Sequence, residues 1–339
     1  MPPRPPRVLG DPGRPALRAL DRRALRTAVL GWFAAHGREL AFRTGGRPDP
    51  WGILVAEVMA QQTQIARVEE RWPAFVAAFP TPEAMAAASP ADVIRAWRGL
   101  GHNRRALALH RAATAIVASG GAVPRDLAGL GALPGVGPYT ARAVASVAFG
   151  QPVGAVDVNV RRVLGRIVVG DPARISPAAL QAEADTVVDP RRPGTWTHAL
   201  MDLGATLCRP VRPACGSCPA RPWCAFAARG VDAAGVGGPA PRPRRATPFE
   251  GTSRWLRGRL VDRLREAPAD AAVDLAGPHG GHSAEAVERA LSALAREGLI
   301  ELDARGGARL AGSGAVPAVP GSPVGHRATT APGAPAELR

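Results

Sequence analysis

One carboxyl stands out for the company it keeps. Glu57 lies in the segment 51–70, WGILVAEVMAQQTQIARVEE, among Ile53, Leu54, Val55, Val58 and Met59. Burial in such a run disfavours the charged form and moves a carboxyl toward protonation near neutral pH. A protonated carboxyl at that pH is what a general acid requires. Taken alone, Glu57 could equally be the solvent-facing residue of a helix. Gln61 follows one turn later on the same face, and Gln62 and Thr63 close the apolar part with short polar groups.

A second acid follows a pair of glycines. Leu133, Pro134, Gly135, Val136 and Gly137 separate two helical segments, and Pro138 opens the second. The glycines permit a tight turn, and the free N–H groups of the next helix form a phosphate site that is blind to base sequence. This is a helix-hairpin-helix pattern. Beyond it runs VGAVDVNVRRV, in which Asp157 opens an apolar-periodic helix and Asn159 follows two residues later. By itself Asp157 reads as a helix N-cap. Capping and catalysis are compatible, because a cap also aims its carboxylate.

All four cysteines fall in one short stretch, CRPVRPACGSCPARPWC, at Cys208, Cys215, Cys218 and Cys224. So tight a cluster suits a metal centre in a reducing compartment rather than a disulfide framework. Zinc and a 4Fe–4S cluster both accept four thiolates, and the spacing alone leaves both open. Arg209, Arg212 and Arg221 add positive charge to the same loop.

The whole chain is basic, with a net charge of +15 over 339 residues and a pI near 11.4. That balance suits a polyanion such as DNA. The 43 basic residues are all arginine. A lysine Schiff base is therefore excluded, leaving only the α-amino group as an amine nucleophile. The N-terminal stretch has no apolar core of the kind a signal peptide carries, and no uncharged apolar run approaches a membrane span. The expectation is a soluble, cytoplasmic, nucleoid-associated protein.

Helical periodicity recurs over 21–36, 51–70, 82–88, 90–98, 103–119, 126–132, 138–149, 157–168, 177–187 and 195–207, with Pro and Gly between. Nothing there alternates as a long strand would. The expected fold is mainly α: a core of two helical subdomains over 21–229 with the cysteine loop at its end. A Gly/Pro/Arg linker fills 230–250. Over 251–312 come helices at 252–266 and 283–297, then LIELD, a Gly306–Gly307 turn and ARLAG, the order of a winged-helix-like α+β module. Residues 1–20 and 313–339 read as disordered tails, the first of them basic.

Together AEVMAQQTQIARV, LPGVGPYTARAV, VDVNVRRVLGR, MDLGA and the cysteine loop resemble the MutY-type adenine DNA glycosylases, over about residues 30–226. The cysteine loop, with its single C-x2-C knuckle, is similar to the cluster loop of the endonuclease III-type enzymes of the same superfamily. The resemblance implies that adenine mispaired with 8-oxoguanine or guanine is flipped out of double-stranded DNA. Glu57 would protonate the purine's imidazole ring and help activate water. Asp157 would stabilise the oxocarbenium-like sugar, with Tyr139 and Asn159 in support. Gln62 would wedge into the gap, flanked by Gln61 and Thr63, and residues 133–137 would hold phosphate. The four cysteines would hold a 4Fe–4S cluster, and the protein would act as a monomer.

Strand-cleaving relatives carry lysine where this chain has Tyr139, so the resemblance implies a monofunctional enzyme. The chain also departs from the family pattern around the base. It reads Arg38, Glu39, Leu40, Ala41, Phe42, Arg43 where the family has R-D-L-P-W-R, and Gly101, His102, Asn103 where the family has G-Y-Y. His198 stands near the place where the family reads the edge of adenine. Residues 251–312 are too short for the Nudix-like domain of many members and lack its Phe-Ser-His loop; they match a shorter, actinobacterial-type tail. Two alternatives follow: a mismatch thymine or uracil glycosylase on the same scaffold, and a noncatalytic iron–sulfur DNA-binding regulator.

Overall fold

The structure, a computed structural model, describes residues 19–43, 49–229, 248–268 and 271–313. The expected basic tail before residue 19, most of the linker and the C-terminal tail lie outside these residues.

The chain begins with α1 (Ala19–His36), then forms α2 (Pro50–Ala60), α3 (Ile65–Ala78), α4 (Pro82–Ala87), α5 (Pro90–Ala96), α6 (Arg104–Ala118), α7 (Leu127–Ala132) and α8 (Pro138–Phe149). It continues through α9 (Val158–Val169), α10 (Pro177–Val187) and α11 (Pro193–Thr206) to the cysteine loop. After the linker come α12 (Ser253–Glu266), α13 (Ala284–Arg296), β1 (Ile300–Leu302) and β2 (Ala308–Leu310). Most starts are written in side chains. Asp49, Thr81, Ser89, Asp126, Asp157, Ser176, Thr252 and Ser283 each accept a backbone N–H of the first turn.

Apolar faces sort these helices into two cores. One, built from α2 to α8, centres on Leu54, Met59, Trp97, Leu109, Ile116 and Leu130. The other joins α1 to α9, α10 and α11 through Leu25, Val29, Leu164, Leu180 and Trp196. The chain thus starts in the second body, builds the first, and returns. Between them Ser146 of α8 and Thr197 of α11 share a buried hydrogen bond of 2.9 Å. Arg142 of α8 pairs with Asp185 of α10 at 2.6 Å.

The periodicity of 51–70 suggests one helix, and the structure corrects this. The helix breaks at 61–64, where Gln62 takes φ 54° and α3 restarts at Ile65. The chain therefore turns at the end of the apolar run, instead of carrying Gln62 and Thr63 along a helix side.

The C-terminal unit does not stand apart. Leu256, Leu260, Leu264, Val287, Leu291 and Leu294 share a core with Ala91 and Ile94 of α5 and Leu107 of α6. β1 and β2 pair antiparallel, and Val273 adds a bridge to Ala308. Arg265 fixes the docking, donating to the Ile94 carbonyl at 3.0 Å and to Asn103 Oδ1 at 2.9 Å. Among the described residues, no helix is long and apolar enough to cross a membrane.

Candidate active site

The two helical bodies meet where the two acids do. Glu57 faces inward from the last turn and a half of α2, Tyr139 from the first turn of α8, and Asp157 from the N-cap of α9. The Tyr139 hydroxyl, 4.0 Å from Met201 Sδ, also faces the Glu57 carboxyl, and both feel the charge of Asp157. Burial, chiefly, raises Glu57 to about 7; the Asp157 charge adds to the rise, while the facing Tyr139 hydroxyl and Arg43 oppose it. Tyr139, also buried and facing both carboxyls, lies well above the ordinary phenol value. It keeps its proton and remains a hydrogen-bond donor.

Asp157 is oriented on both oxygens. One accepts the Val160 amide at 2.7 Å, and the other accepts the Asn159 amide group at 3.0 Å. Arg162 then ties Asn159 Oδ1 (2.7 Å) to the carbonyls of Gly204 (2.7 Å) and Cys208 (2.6 Å). Capping and aiming are one arrangement here, because the carboxylate that closes the helix faces Glu57.

Beside this pair lies a buried ion cluster that the spacing did not reveal. Asp202 of α11, fully enclosed, accepts from Arg38 (2.6 Å) and Arg43 (3.0 Å). Burial works against its charge, but the guanidinium hydrogen bonds outweigh this and hold it below the usual carboxylate value. Arg43, in the segment that departs from the family pattern around the base, is 9% exposed and pairs with Asp202. An acid inside the apolar stretch HALMDLGA was the available signal, the same one that marked Glu57. His198 sits one turn before Asp202. Burial and Arg43 lower it to about 3, so it is neutral and able to accept or donate one hydrogen bond.

The turn at 61–64 is held by a residue that periodicity hid. Arg105 donates to the Val58 (2.9 Å) and Met59 (2.8 Å) carbonyls at the end of α2 and to Thr63 Oγ1 (2.8 Å). It also reaches the Leu100 and Gly101 carbonyls (3.0 and 3.2 Å) and lies over the Trp97 ring. One guanidinium thus braces two turns that each carry a non-glycine residue at positive φ, Gln62 at 54° and His102 at 45°. Gln61 reaches across to the hairpin, donating to the Gly135 carbonyl (3.1 Å) and Thr140 (3.2 Å). Gly135 needs its φ of 80°, and a side chain there would strike Ala108. Leu133 and Val136 are buried anchors, whereas Gly135 and Gly137 stay exposed for a ligand, with Pro134 between. Asn103 lines the same groove as Gln62 and His102, its Oδ1 accepting from Arg265.

Cys208, Cys215, Cys218 and Cys224 line one small cavity at the end of α11. Arg166, buried in α9, donates to Cys208 Sγ at 3.3 Å and to the Arg209 (2.8 Å) and Pro210 (3.0 Å) carbonyls. Burial pushes up Cys215, Cys224 and Cys218, the last to about 11, and neighbouring thiols add to each. Four thiols are the donor set that a shared cationic centre would draw into their thiolate forms, although among the described residues no three of them stand together as a metal-holding group. No other type of metal-binding side chain lines the cavity.

A helical body with this hairpin, acid pair and cysteine loop has known counterparts. Residues 55–190 match the HhH-GPD superfamily of base excision DNA repair proteins. An adenine DNA glycosylase from Mycolicibacterium smegmatis is 41% identical over 297 residues, covering 84% of this chain and 96% of the relative. This chain belongs to that family. A second adenine DNA glycosylase, from Mycobacterium tuberculosis, is 46% identical over 245 residues, 71% of this chain and 78% of the relative. Among solved structures, a thermostable thymine-DNA glycosylase superposes with a TM-score of 0.58 at 28% identity, covering 61% of this chain and 97% of the other. The mainly helical fold of this family member is thus that of the HhH-GPD glycosylases.

Proposed function

We propose that this chain is a monofunctional adenine DNA glycosylase that removes adenine opposite 8-oxoguanine or guanine. The observation that carries the reading is the convergence of Glu57, Tyr139 and Asp157 where the two helical bodies meet. Exposed Gly135 and Gly137 and the first turn of α8 would take a phosphate, and Gln62 would fill the space left by the extruded base. Glu57, half protonated near pH 7, gives its proton to the imidazole ring of the flipped purine. The bond between base and C1′ then breaks, and its electron pair leaves with the base. Asp157 stabilises the cationic sugar, and water adds at C1′, giving its proton to the Glu57 carboxylate formed in the first step, to leave an abasic site. Tyr139 steadies the Glu57 carboxyl and keeps its own proton throughout. Without a lysine there is no side-chain amine for β-elimination, so the strand stays intact.

Cys208, Cys215, Cys218 and Cys224 would hold a 4Fe–4S cluster, which would order the loop that presents Arg209, Arg212 and Arg221 and take no part in bond cleavage. Arg162 and Arg166 bind the cysteine loop to α9, so that loop order bears on Asp157. A cytoplasmic, nucleoid-associated monomer acting on mispaired or oxidised duplexes suits this chemistry.

The test is a panel of duplexes carrying A opposite 8-oxoguanine, A:G, T:G and U:G, scored for strand scission with and without alkali. Alkali-dependent scission at adenine in the wild type, lost in Asp157→Asn and Glu57→Gln, is expected. Release of thymine or uracil alone would instead favour the mismatch pyrimidine reading. Scission without alkali would overturn the monofunctional assignment, and a colourless, iron-free protein would overturn the cluster.

A further inference from the structure

Glu57 and Tyr139 stand on helices of the first body, whereas Asp157 caps α9 of the second, so the spacing of the acid pair depends on how the bodies are joined. Among the described residues, the hydrogen bonds of Asp157 run to its own helix: the Val160 and Arg161 amides and the Asn159 side chain. Its place is therefore set by the segment that leads into it. That segment crosses between the bodies, with Val153 packed on the first core and Val156 on the second. Gly154, at the crossing, is held by both of its backbone polar groups. Its N–H donates to Asp185 Oδ1 (2.8 Å), and its carbonyl accepts from Gln181 (2.8 Å) and Arg142 (3.4 Å). Arg142 also donates to that same Asp185 oxygen at 2.6 Å, and Gln181 reaches it at 3.3 Å. A side chain at Gly154 would come within 2.6 Å of the Ala184 backbone, so α10 presses directly on the segment. Asp185 and Gln181 belong to α10, and Arg142 lies one turn beyond Tyr139 on α8.

From this junction we infer that Asp185 is a positioning residue: through Gly154 and Arg142 it holds Asp157 opposite Glu57 and Tyr139, and so governs how well the developing sugar cation is stabilised. The inference rests on the glycosylase reading. One carboxylate oxygen serves donors from α8, from α10 and from the segment itself, so its removal releases all three at once. An amide oxygen in the same place can still accept the Gly154 and Arg142 hydrogens, whereas a methyl group cannot. The Asp185 side chain is 37% exposed, so its loss opens no core cavity. It acts through the backbone before Asp157 and not on the reacting atoms. Charge stabilisation in a transition state depends on groups fixed in place beforehand, and a shift of about 1 Å can cost roughly a hundredfold in rate.

The experiment measures binding of the full-length protein to two duplexes that differ at one nucleotide opposite 8-oxoguanine. One carries a cationic pyrrolidine in place of the sugar, the other a neutral tetrahydrofuran abasic analogue. The wild type should prefer the cationic duplex, because Asp157 faces the charge. Asp185→Ala should lower that preference about sevenfold, with little change on the neutral duplex. Such a loss is expected when two charges at an effective dielectric of about 20 part from about 4 to about 5.5 Å. The ratio of the two affinities is independent of the fraction folded, so a destabilised variant still reports. Asp185→Asn should restore the ratio, and single-turnover release of adenine should follow the same order. An unchanged preference in Asp185→Ala, or equal losses on both duplexes, overturns the inference. Failure of the glycosylase reading has a different signature: the wild type itself releases no base from any duplex and prefers neither analogue.

Discussion

Glu57 links a raised pKa to both rate and stability, in opposite directions. Its carboxyl is raised from 4.5 to about 7. At pH 7 about half of the molecules hold the catalytic proton; an unshifted carboxyl would hold it in about 0.3% of them, so burial contributes a factor of roughly 150. Single-turnover release of adenine, with enzyme in excess, should be flat below about pH 6 and fall about fivefold between pH 7 and 8. Stability follows the same proton. A carboxyl whose folded value is raised contributes stability that is complete below its unfolded value near 4.5 and is lost as pH climbs through about 7. Glu57→Gln removes that dependence. The variant should release no adenine, yet gain on the wild type by up to about 3 kcal/mol in urea unfolding as pH goes from 5 to 8. A release rate indifferent to pH up to 9, or a stability difference that is the same at pH 5 and 8, would refute the burial argument.

Tyr139 is the only tyrosine in the chain, so alkaline difference absorbance reads it alone, and it should ionise well above pH 10; titration at the ordinary value would place it in solvent. Arg105→Lys should keep the fold but slow base flipping, read as a delayed 2-aminopurine fluorescence rise, because one ammonium cannot brace both turns. An unchanged rise would remove Arg105 from the wedge. Asp202→Asn strands Arg43 in a buried site and should cost about 3–5 kcal/mol in denaturant melts, whereas a near-neutral effect would mean that water replaces the pair. Cys218→Ala should lower iron content and, through Arg162 and Asn159, the release rate with it; full activity in an iron-free protein would separate the loop from Asp157.

The helices were written locally. Caps such as Asp157 and Ser176, prolines at first turns and the 3.6-residue apolar spacing set nearly every boundary within two residues, because those signals act over one or two turns. The burial of Glu57 and the gathering of the four thiols were legible too, since a charge in an apolar run and clustered soft ligands stand out in any fold. Other features depend on contacts across the chain. The break at Gln62 is held by Arg105 from more than forty residues away, and Asp202 becomes an ion-cluster centre only when Arg38 and Arg43 fold over it. The C-terminal unit reads as separate because its linker is Gly/Pro-rich, yet Leu107 and Ile94 complete its core. Periodicity shows which face of a helix is buried; the partner that buries it, and the groove left beside it, are decided only when distant segments meet.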